Sequence, residues 1–298
     1  MKINLIQAPY HLDREGVNTG AGPARLLASG LEEALTGAGH QIGRVEMVAL
    51  DGDQGHETGN IFAIVRALTD RVRSAREEGA FPVILAGDCT SVVGVVSGLG
   101  GGPWQGLLWL DAHGDAHTPE TTGTGFFDGM PLAVALGWCW SALASTVPGF
   151  EPLAEERVVH LGGRAFDPGE EEVLAASGMN FINGAAMRAE DGGERVSSAV
   201  SQLAQVSSSV HVHLDLDVLD ESDGIASGYA VGGGPSLSAL EETLAATAEA
   251  VEVSSMTICS YDPSFDSDGR AASAGIKLLS VVLDRASAPA LSPTTAPR

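Results

Sequence analysis

Between residues 107 and 131 the sequence LLWLDAHGDAHTPETTGTGFFDGMP passes from an apolar run into Asp111, His113 and Asp115, at alternating positions. The run SVHVHLDLDVLD (209–220) does the same with His213, Asp215 and Asp217, and PVILAGDCTS (82–91) ends on Asp88 and Cys89. In extended chain, residues two apart point to the same side, so each group converges if strand geometry continues into the following loop. Carboxylates gathered in this way repel one another, and either protons or cations must neutralise them. Carboxylates mixed with imidazole suit Mn²⁺, Zn²⁺ or Fe²⁺, and two ions about 3.5–4 Å apart can activate water for hydrolysis at a carbon centre. A single Asp at a strand end is ordinarily a helix cap or loop hydrogen-bonder. Two such clusters in one chain outweigh that reading.

These clusters need strands to carry them. Strands are predicted over 2–9, 44–50, 82–88, 106–115, 157–164, 179–184, 209–219 and 255–262, several with the continuous apolar character of buried parallel strands. Helices are predicted over 23–39, 60–79, 168–177, 192–206, 236–250 and 271–286. The alternation points to one mostly parallel sheet with helices on both faces, in one domain over 1–286. The Pro/Ser/Thr-rich segment 287–298 is expected to fray. In such sheets ligands bind beyond the carboxyl ends of the strands. Asp88 with Cys89, Asp111 to Asp115, Asp215 to Asp220, and Asp262 all fall at that rim.

The bulk numbers narrow the function. The chain has 298 residues, 44% of them hydrophobic, with 16 basic against 39 acidic side chains and a net charge of −23. That balance argues against nucleic acid and against an anionic membrane surface. Three cysteines make no disulfide framework in a chain this size. No apolar stretch is long enough for a membrane span, and MKINLIQAPYHLDRE reads as a first strand rather than a signal peptide. A cytoplasmic location is expected.

ILAGDCTS (84–91), DAHGD (111–115), HLGGRAFDPGE (160–170) and HLDLDVLD (213–220) resemble the conserved blocks of the ureohydrolase family, which includes arginases, agmatinases and formimidoylglutamases. GPARLL near the start and YDPSFD (261–266) fit the family's ends. The likeness covers nearly the whole chain, and DAHxD with DxDxxD in this order is its specific part. It implies a three-layer α/β/α domain with about eight strands, a centre of two Mn²⁺ ions, and a metal-bridging hydroxide that attacks a guanidine carbon to release urea or a similar amide. By position it implies metal ligands at Asp111, His113, Asp115, Asp215 and Asp217, with Asp115 and Asp215 bridging. It also implies a homo-oligomer, trimer or hexamer.

Several positions depart from the family pattern. Cys89 stands where the sixth ligand is usually His. A soft thiolate there either binds a metal, shifting preference toward Zn²⁺ or weakening that site, or stays a buried thiol and leaves the site empty. His213 stands in place of Ser; it either restores an imidazole to the centre or is a core histidine. Asp128 takes the place of the arginase loop His that shuttles protons, and is either the proton carrier or a loop acid. Thr124 replaces a Ser that binds the substrate α-carboxylate, Asp167 matches the acid that reads the α-amino group, and His117 replaces an Asn. Ser260 stands where arginases and agmatinases grip the guanidinium with Glu. Asp262, two residues on, is expected to reach in; otherwise the substrate is neutral at that end, as an N-hydroxyguanidine is. Cys89, His213 and TPETTGTGFF together resemble a cysteine-bearing branch that hydrolyses Nω-hydroxyarginine to hydroxyurea.

The expected substrate is therefore a small guanidino or N-hydroxyguanidino amino acid. Two other classes compete. A Cys–His hydrolase would use Cys89 with His113 or His213 as base, but the acids around them disfavour it. A degenerate arginase-fold protein with weak or no metal, acting as a binding or assembly module, is supported by the missing His and Glu. Against it stand the five retained ligand positions. GLGGGP (98–103) and VGGGP (231–235) lack the dinucleotide-fingerprint spacing and read as turns.

Overall fold

The computed structural model describes residues 1–100 and 105–286, so the tail expected to fray and the second half of GLGGGP (101–103) lie outside the described residues. Eight strands form one sheet: β1 (Lys2–Ala8), β2 (Gln41–Met47), β3 (Phe81–Ala86), β4 (Gln105–Leu110), β5 (Val158–Leu161), β6 (Asn180–Ile182), β7 (Ser209–Asp215) and β8 (Glu252–Cys259). Their order is β2-β1-β3-β8-β7-β4-β5-β6, and every pairing is parallel.

Parallel neighbours need crossovers, and the helices between strands supply them on both faces. Alternate residues divide between two cores. Leu5, Leu85 and Leu110 pack with Leu26 and Leu35, Leu203, Leu244 and Leu279, from helices Gly22–Ala28, Leu31–Gly37, Gly192–Val206, Leu237–Ala250 and Arg270–Ala286. Ile6, Ile84 and Trp109 pack on the other face with Leu68, Val95, Val134 and Leu174, from helices Glu57–Glu77, Ser91–Gly98, Pro131–Ala135 and Glu170–Ala176. The domain is thus three layers, as the resemblance implied. The central strands are buried on both faces, which is why their sequences are apolar throughout.

The topology places the site. Strands β3 and β4 follow each other in the chain, yet two strands separate them, and the last two, β7 and β8, fill the gap. The carboxyl ends of β3, β8, β7 and β4 therefore lie side by side at the centre of one rim, where such sheets bind ligands.

Three expectations shift in detail. The strands predicted over 106–115 and 209–219 stop at Leu110 and Asp215. The helix predicted over 23–39 breaks into Gly22–Ala28 and Leu31–Gly37, because Gly30 turns left-handed at φ 91°. Helix Ser91–Gly98 was not anticipated, since SVVGVVSG is rich in β-branched residues that favour strands. Its start is fixed by the loop AGDCT. A Cβ on Gly87 would lie 2.0 Å from the Tyr10 carbonyl oxygen, so only glycine permits this approach. The approach lets Asp88 accept a hydrogen bond from the Leu12 amide at 2.6 Å.

Candidate active site

Since β4 ends at Leu110, strand alternation does not bring Asp111, His113 and Asp115 together; turns do. Asp111 Oδ1 accepts from the His113 amide at 2.7 Å, folding the chain back, while Trp109 Nε1 donates to Oδ2 at 3.0 Å. Asp115 takes a left-handed backbone, φ 49°, a conformation Asp tolerates better than most residues. Beside it Gly114 is obligatory in this packing, since a Cβ would meet Glu170 Cδ at 2.5 Å. At the end of β7 the same device recurs. Asp215 Oδ1 accepts from the Asp217 amide at 2.8 Å and caps the short 3-10 turn Leu216–Val218. Asp217 then ties the two loops, accepting from the Ala112 amide at 3.1 Å and lying 3.1 Å from His113 Nδ1.

Arg164, after β5, anchors this arrangement. Its guanidinium donates to the carbonyls of Asp217 (2.8 Å), Leu219 (3.0 Å), Gly162 (3.2 Å) and Val231 (2.7 Å). These donors thus go to the main chain rather than to the carboxylates.

The acids crowd one another. Asp111, Asp115, Asp215 and Asp217 are buried, and Asp128 is half-buried beside them. Burial, then repulsion from Asp217, pushes Asp111 up to about 6. Burial followed by neighbouring carboxylates raises Asp115, Asp128 and Asp215 well above the usual range. Asp217 alone falls below it: burial opposes ionisation, but the His113 charge and hydrogen bond outweigh that. Burial likewise disfavours the His113 cation, and Asp217 with Asp111 more than compensates, raising its pKa.

Cys89, at the end of β3, joins this group from the core side. Its Sγ lies 3.1 Å from Asp215 Oδ2 and 3.9 Å from Asp111 Oδ2, and its amide donates to Asp128 Oδ1 at 2.9 Å. Burial and then the neighbouring Cys259 push its thiol up. Cys259, at the end of β8, touches it with an Sγ–Sγ separation of 3.6 Å. His213 stacks on Trp109 at 4.0 Å between ring centroids, with Nε2 3.3 Å from Cys259 Sγ. Among the described residues, donor atoms gather as Asp111–His113–Asp217, as Cys89–Asp111–Asp215 and as Cys89–Asp115–Asp128. These abutting, acid-rich groups carry more buried negative charge than one imidazolium offsets, and divalent cations fit them in charge and donor type.

In front of the acids opens a cavity of about 380 Å³, a small-molecule size. His113, Asp115, Asp128, Asp215, Asp217 and Ser260 line its floor, and His117, Thr124 and Asp167 its outer wall. His117 Nε2 lies 3.2 Å from Asp167 Oδ2, and its Nδ1 3.2 Å from Thr121 Oγ1. Thr124 Oγ1 accepts from the Phe126 amide at 3.2 Å. Asp111, Cys89 and His213 sit behind the floor. Asp262 is not among the lining residues. The strand ends at Cys259 and Ser260 turns left-handed at φ 59°, which cancels the alternation that would aim Asp262 inward. The Asp262 carboxylate instead accepts from the Ser264 amide at 2.9 Å.

Four residues of the site escaped sequence reasoning. Glu170 is a buried wall acid that accepts from the amides of Ala116 at 3.2 Å and Asp167 at 3.3 Å. It sat in the quoted HLGGRAFDPGE block, and its place at the start of a helix was the available signal. Tyr229 lines the cavity and packs on Phe126 with centroids 6.1 Å apart. Arg164 and Cys259 bore no recognisable spacing.

Comparisons with known proteins agree with this architecture. The model of the arginase family matches residues 1–283. The chain is 30% identical to the arginase of Bacillus caldovelox over 293 residues, covering 93% of this chain and 96% of the relative. It is 27% identical to the arginase of Bacillus subtilis (strain 168), covering 95% and 98%. The solved structure of the Bacillus caldovelox arginase superposes with a TM-score of 0.86 at 27% identity, over 94% of this chain and 97% of that one. A Bacillus subtilis formimidoylglutamase shares the fold with a TM-score of 0.75 at 16% identity, over 95% and 86%. With its parallel sheet, acid-floored cavity and end-to-end match, the chain belongs to the arginase family, hydrolases that act on guanidino carbon–nitrogen bonds.

Proposed function

We propose that this hydrolase cleaves the terminal guanidino group of an amino acid, with an N-hydroxyguanidino substrate preferred, releasing hydroxyurea or urea. The observation that carries the reading is the crowding of Asp111, Asp115, Asp128, Asp215 and Asp217 around one imidazole at the floor of a small cavity. Asp111, His113, Asp215 and Asp217 would hold one divalent cation, Mn²⁺ by family habit. Cys89, Asp111, Asp115 and Asp215 would hold a second, so Asp111 and Asp215 would be shared, in place of the Asp115 and Asp215 pair that the resemblance implied; the placing of Asp111 in both donor groups supports this. When bound, such ions polarise the guanidine and make water nucleophilic near neutrality.

The protein's own groups supply the rest. His117, Asp167 and Thr124 on the outer wall engage the α-amino and α-carboxylate ends, so the guanidine points inward. Asp128 Oδ1 is held by the Cys89 amide, which leaves Oδ2 to carry the proton that the leaving amine requires. Ser260 offers a hydroxyl where a carboxylate would grip a guanidinium. A cation buried without a counter-charge is costly, and a hydroxylated guanidine, a much weaker base, avoids that cost.

The test is metal-reconstituted protein challenged separately with arginine, Nω-hydroxyarginine, agmatine and guanidinobutyrate, with urea and hydroxyurea assayed apart. Turnover of hydroxyarginine far above arginine is expected. Equal rates on arginine overturn the substrate preference. No product from any guanidine, with substoichiometric metal, overturns hydrolysis and favours a binding module.

A further inference from the structure

Behind the cavity floor lies a second set of donors, of which the proposed hydrolytic centre uses only Cys89. Cys89 Sγ, Cys259 Sγ and His213 Nε2 come from the ends of three adjacent strands, β3, β8 and β7, and all three side chains are buried. Cys89 Sγ and Cys259 Sγ are 3.6 Å apart, and Cys259 Sγ is 3.3 Å from His213 Nε2. All three atoms lie within 4.8 Å of one another. Asp215 Oδ2 lies 3.1 Å from Cys89 Sγ but outside this mutually close set.

These separations have the dimensions of a coordination polyhedron. A tetrahedral Zn²⁺ with sulfur at about 2.3 Å and nitrogen or oxygen at about 2.0 Å has donor–donor edges of about 3.3–3.8 Å. The Cys89–Cys259 and Cys259–His213 separations, 3.6 and 3.3 Å, fall in that range. The rings are held in place independently of any ion: Trp109 stacks on the imidazole of His213 with an interplanar angle of 12°, and its Nε1 is fixed by Asp111.

We infer that Cys89, Cys259 and His213 form a thiophilic cation site of three protein donors that takes Zn²⁺ or an ion of similar softness. Two thiolates and an imidazole select for soft and borderline ions, whereas the Asp111–His113–Asp217 side, without sulfur, selects for Mn²⁺. Binding one divalent ion releases the two thiol protons to solvent, since the thiolate is the ligand form. The inference rests on the proposed hydrolytic centre only for Cys89, which the two share. An ion here would draw Cys89 away from the carboxylate side and make the centre of mixed hardness, with one hard and one soft ion.

Co²⁺ is the probe, because thiolate ligation gives it an intense near-ultraviolet charge-transfer band that oxygen ligation does not. Full-length apoprotein titrated with Co²⁺ should develop the band with one equivalent, and Cys259→Ser should reduce it to about half, one of two thiolates. Cys139→Ser, a buried thiol outside the cluster, should leave it unchanged. Absence of the band, or a band untouched by Cys259→Ser, overturns the site. Should Cys259→Ser fail to fold, X-ray absorption on Zn²⁺-loaded wild-type protein decides. Two sulfur neighbours at about 2.3 Å support the site and fewer than two overturn it. Mn²⁺-supported guanidine hydrolysis, assayed separately, keeps the readings apart. Its absence beside an intact charge-transfer band sinks the proposed function alone, and its presence without the band sinks this site alone.

Discussion

The two flanks of the site solve the same problem with opposite chemistry. On the β4 flank, Asp111, His113 and Asp217 are knit by amide donors and an imidazole, so Asp217 ionises below the usual range despite burial. On the β3–β8 flank, Cys89 and Cys259 meet in the core, where burial keeps both thiols protonated in the absence of a cation. Asp215 stands between them, its pKa raised by burial and then by Asp217. On the proposed reading, one side would be a preformed hard-ion site and the other would ask a metal to displace protons from sulfur. The lesson is that thiols in place of imidazole and carboxylate would change the protonation and softness of half a site, while the fold around it stays that of the family.

The strongest test of the contrast removes charge from the first flank and from the acid between the two. Asp215→Asn and Asp217→Asn should each lower kcat by about 10³-fold or more, the scale of losing several kcal/mol of Lewis-acid stabilisation. Their apoproteins should differ. Asp217→Asn breaks a favourable ion pair and loses roughly 1–2 kcal/mol, while Asp215→Asn removes a repelled buried acid and loses less. Equal losses in urea melts would erase the distinction. Next in size, Mn²⁺ at a hundredfold above its Kd should stabilise the protein by about 2.7 kcal/mol, and chelation should reverse it. An unchanged melting temperature would mean the carboxylates hold no ion. Cys89→His should then raise Mn²⁺ retention through desalting, by about tenfold in affinity, the change from a soft to a borderline ligand; unchanged retention counts against Cys89 ligation. The smallest effect belongs to the outer wall. Asp167→Asn should raise KM about five- to tenfold with little change in kcat, the signature of uniform binding, and a fall in kcat instead would place Asp167 nearer the chemistry.

Much of this was legible before any coordinates. Each of the eight sheet strands overlaps a predicted segment, four of them starting one to three residues earlier than predicted, because doubly buried parallel strands write continuous apolar runs. The acid rim followed from the same segments, because parallel strands all end on one side. The route of convergence was not legible. Alternation was expected to aim Asp111, His113 and Asp115 together, yet β4 stops first, and side-chain-to-amide turns and the left-handed Asp115 do the work. The same oversight put Asp262 in the cavity, where the left-handed Ser260 turns it away. Cys259 and Glu170 were invisible for another reason: each matters through a neighbour more than fifty residues away, Cys89 in one case and Ala116 in the other, and no local pattern records such a meeting.

Arg164 has a mechanical consequence. Its fork holds carbonyls from Gly162, Asp217, Leu219 and Val231, three stretches of chain that would otherwise be independent loops. None of the three can open without breaking bonds to the others, so they should exchange amide hydrogens as one cooperative unit, at the rate of the underlying sheet. A lysine, with a single point of charge, could not bind so many partners. Rigidity in the acidic segment after β7 is thus borrowed from a residue outside the cavity lining.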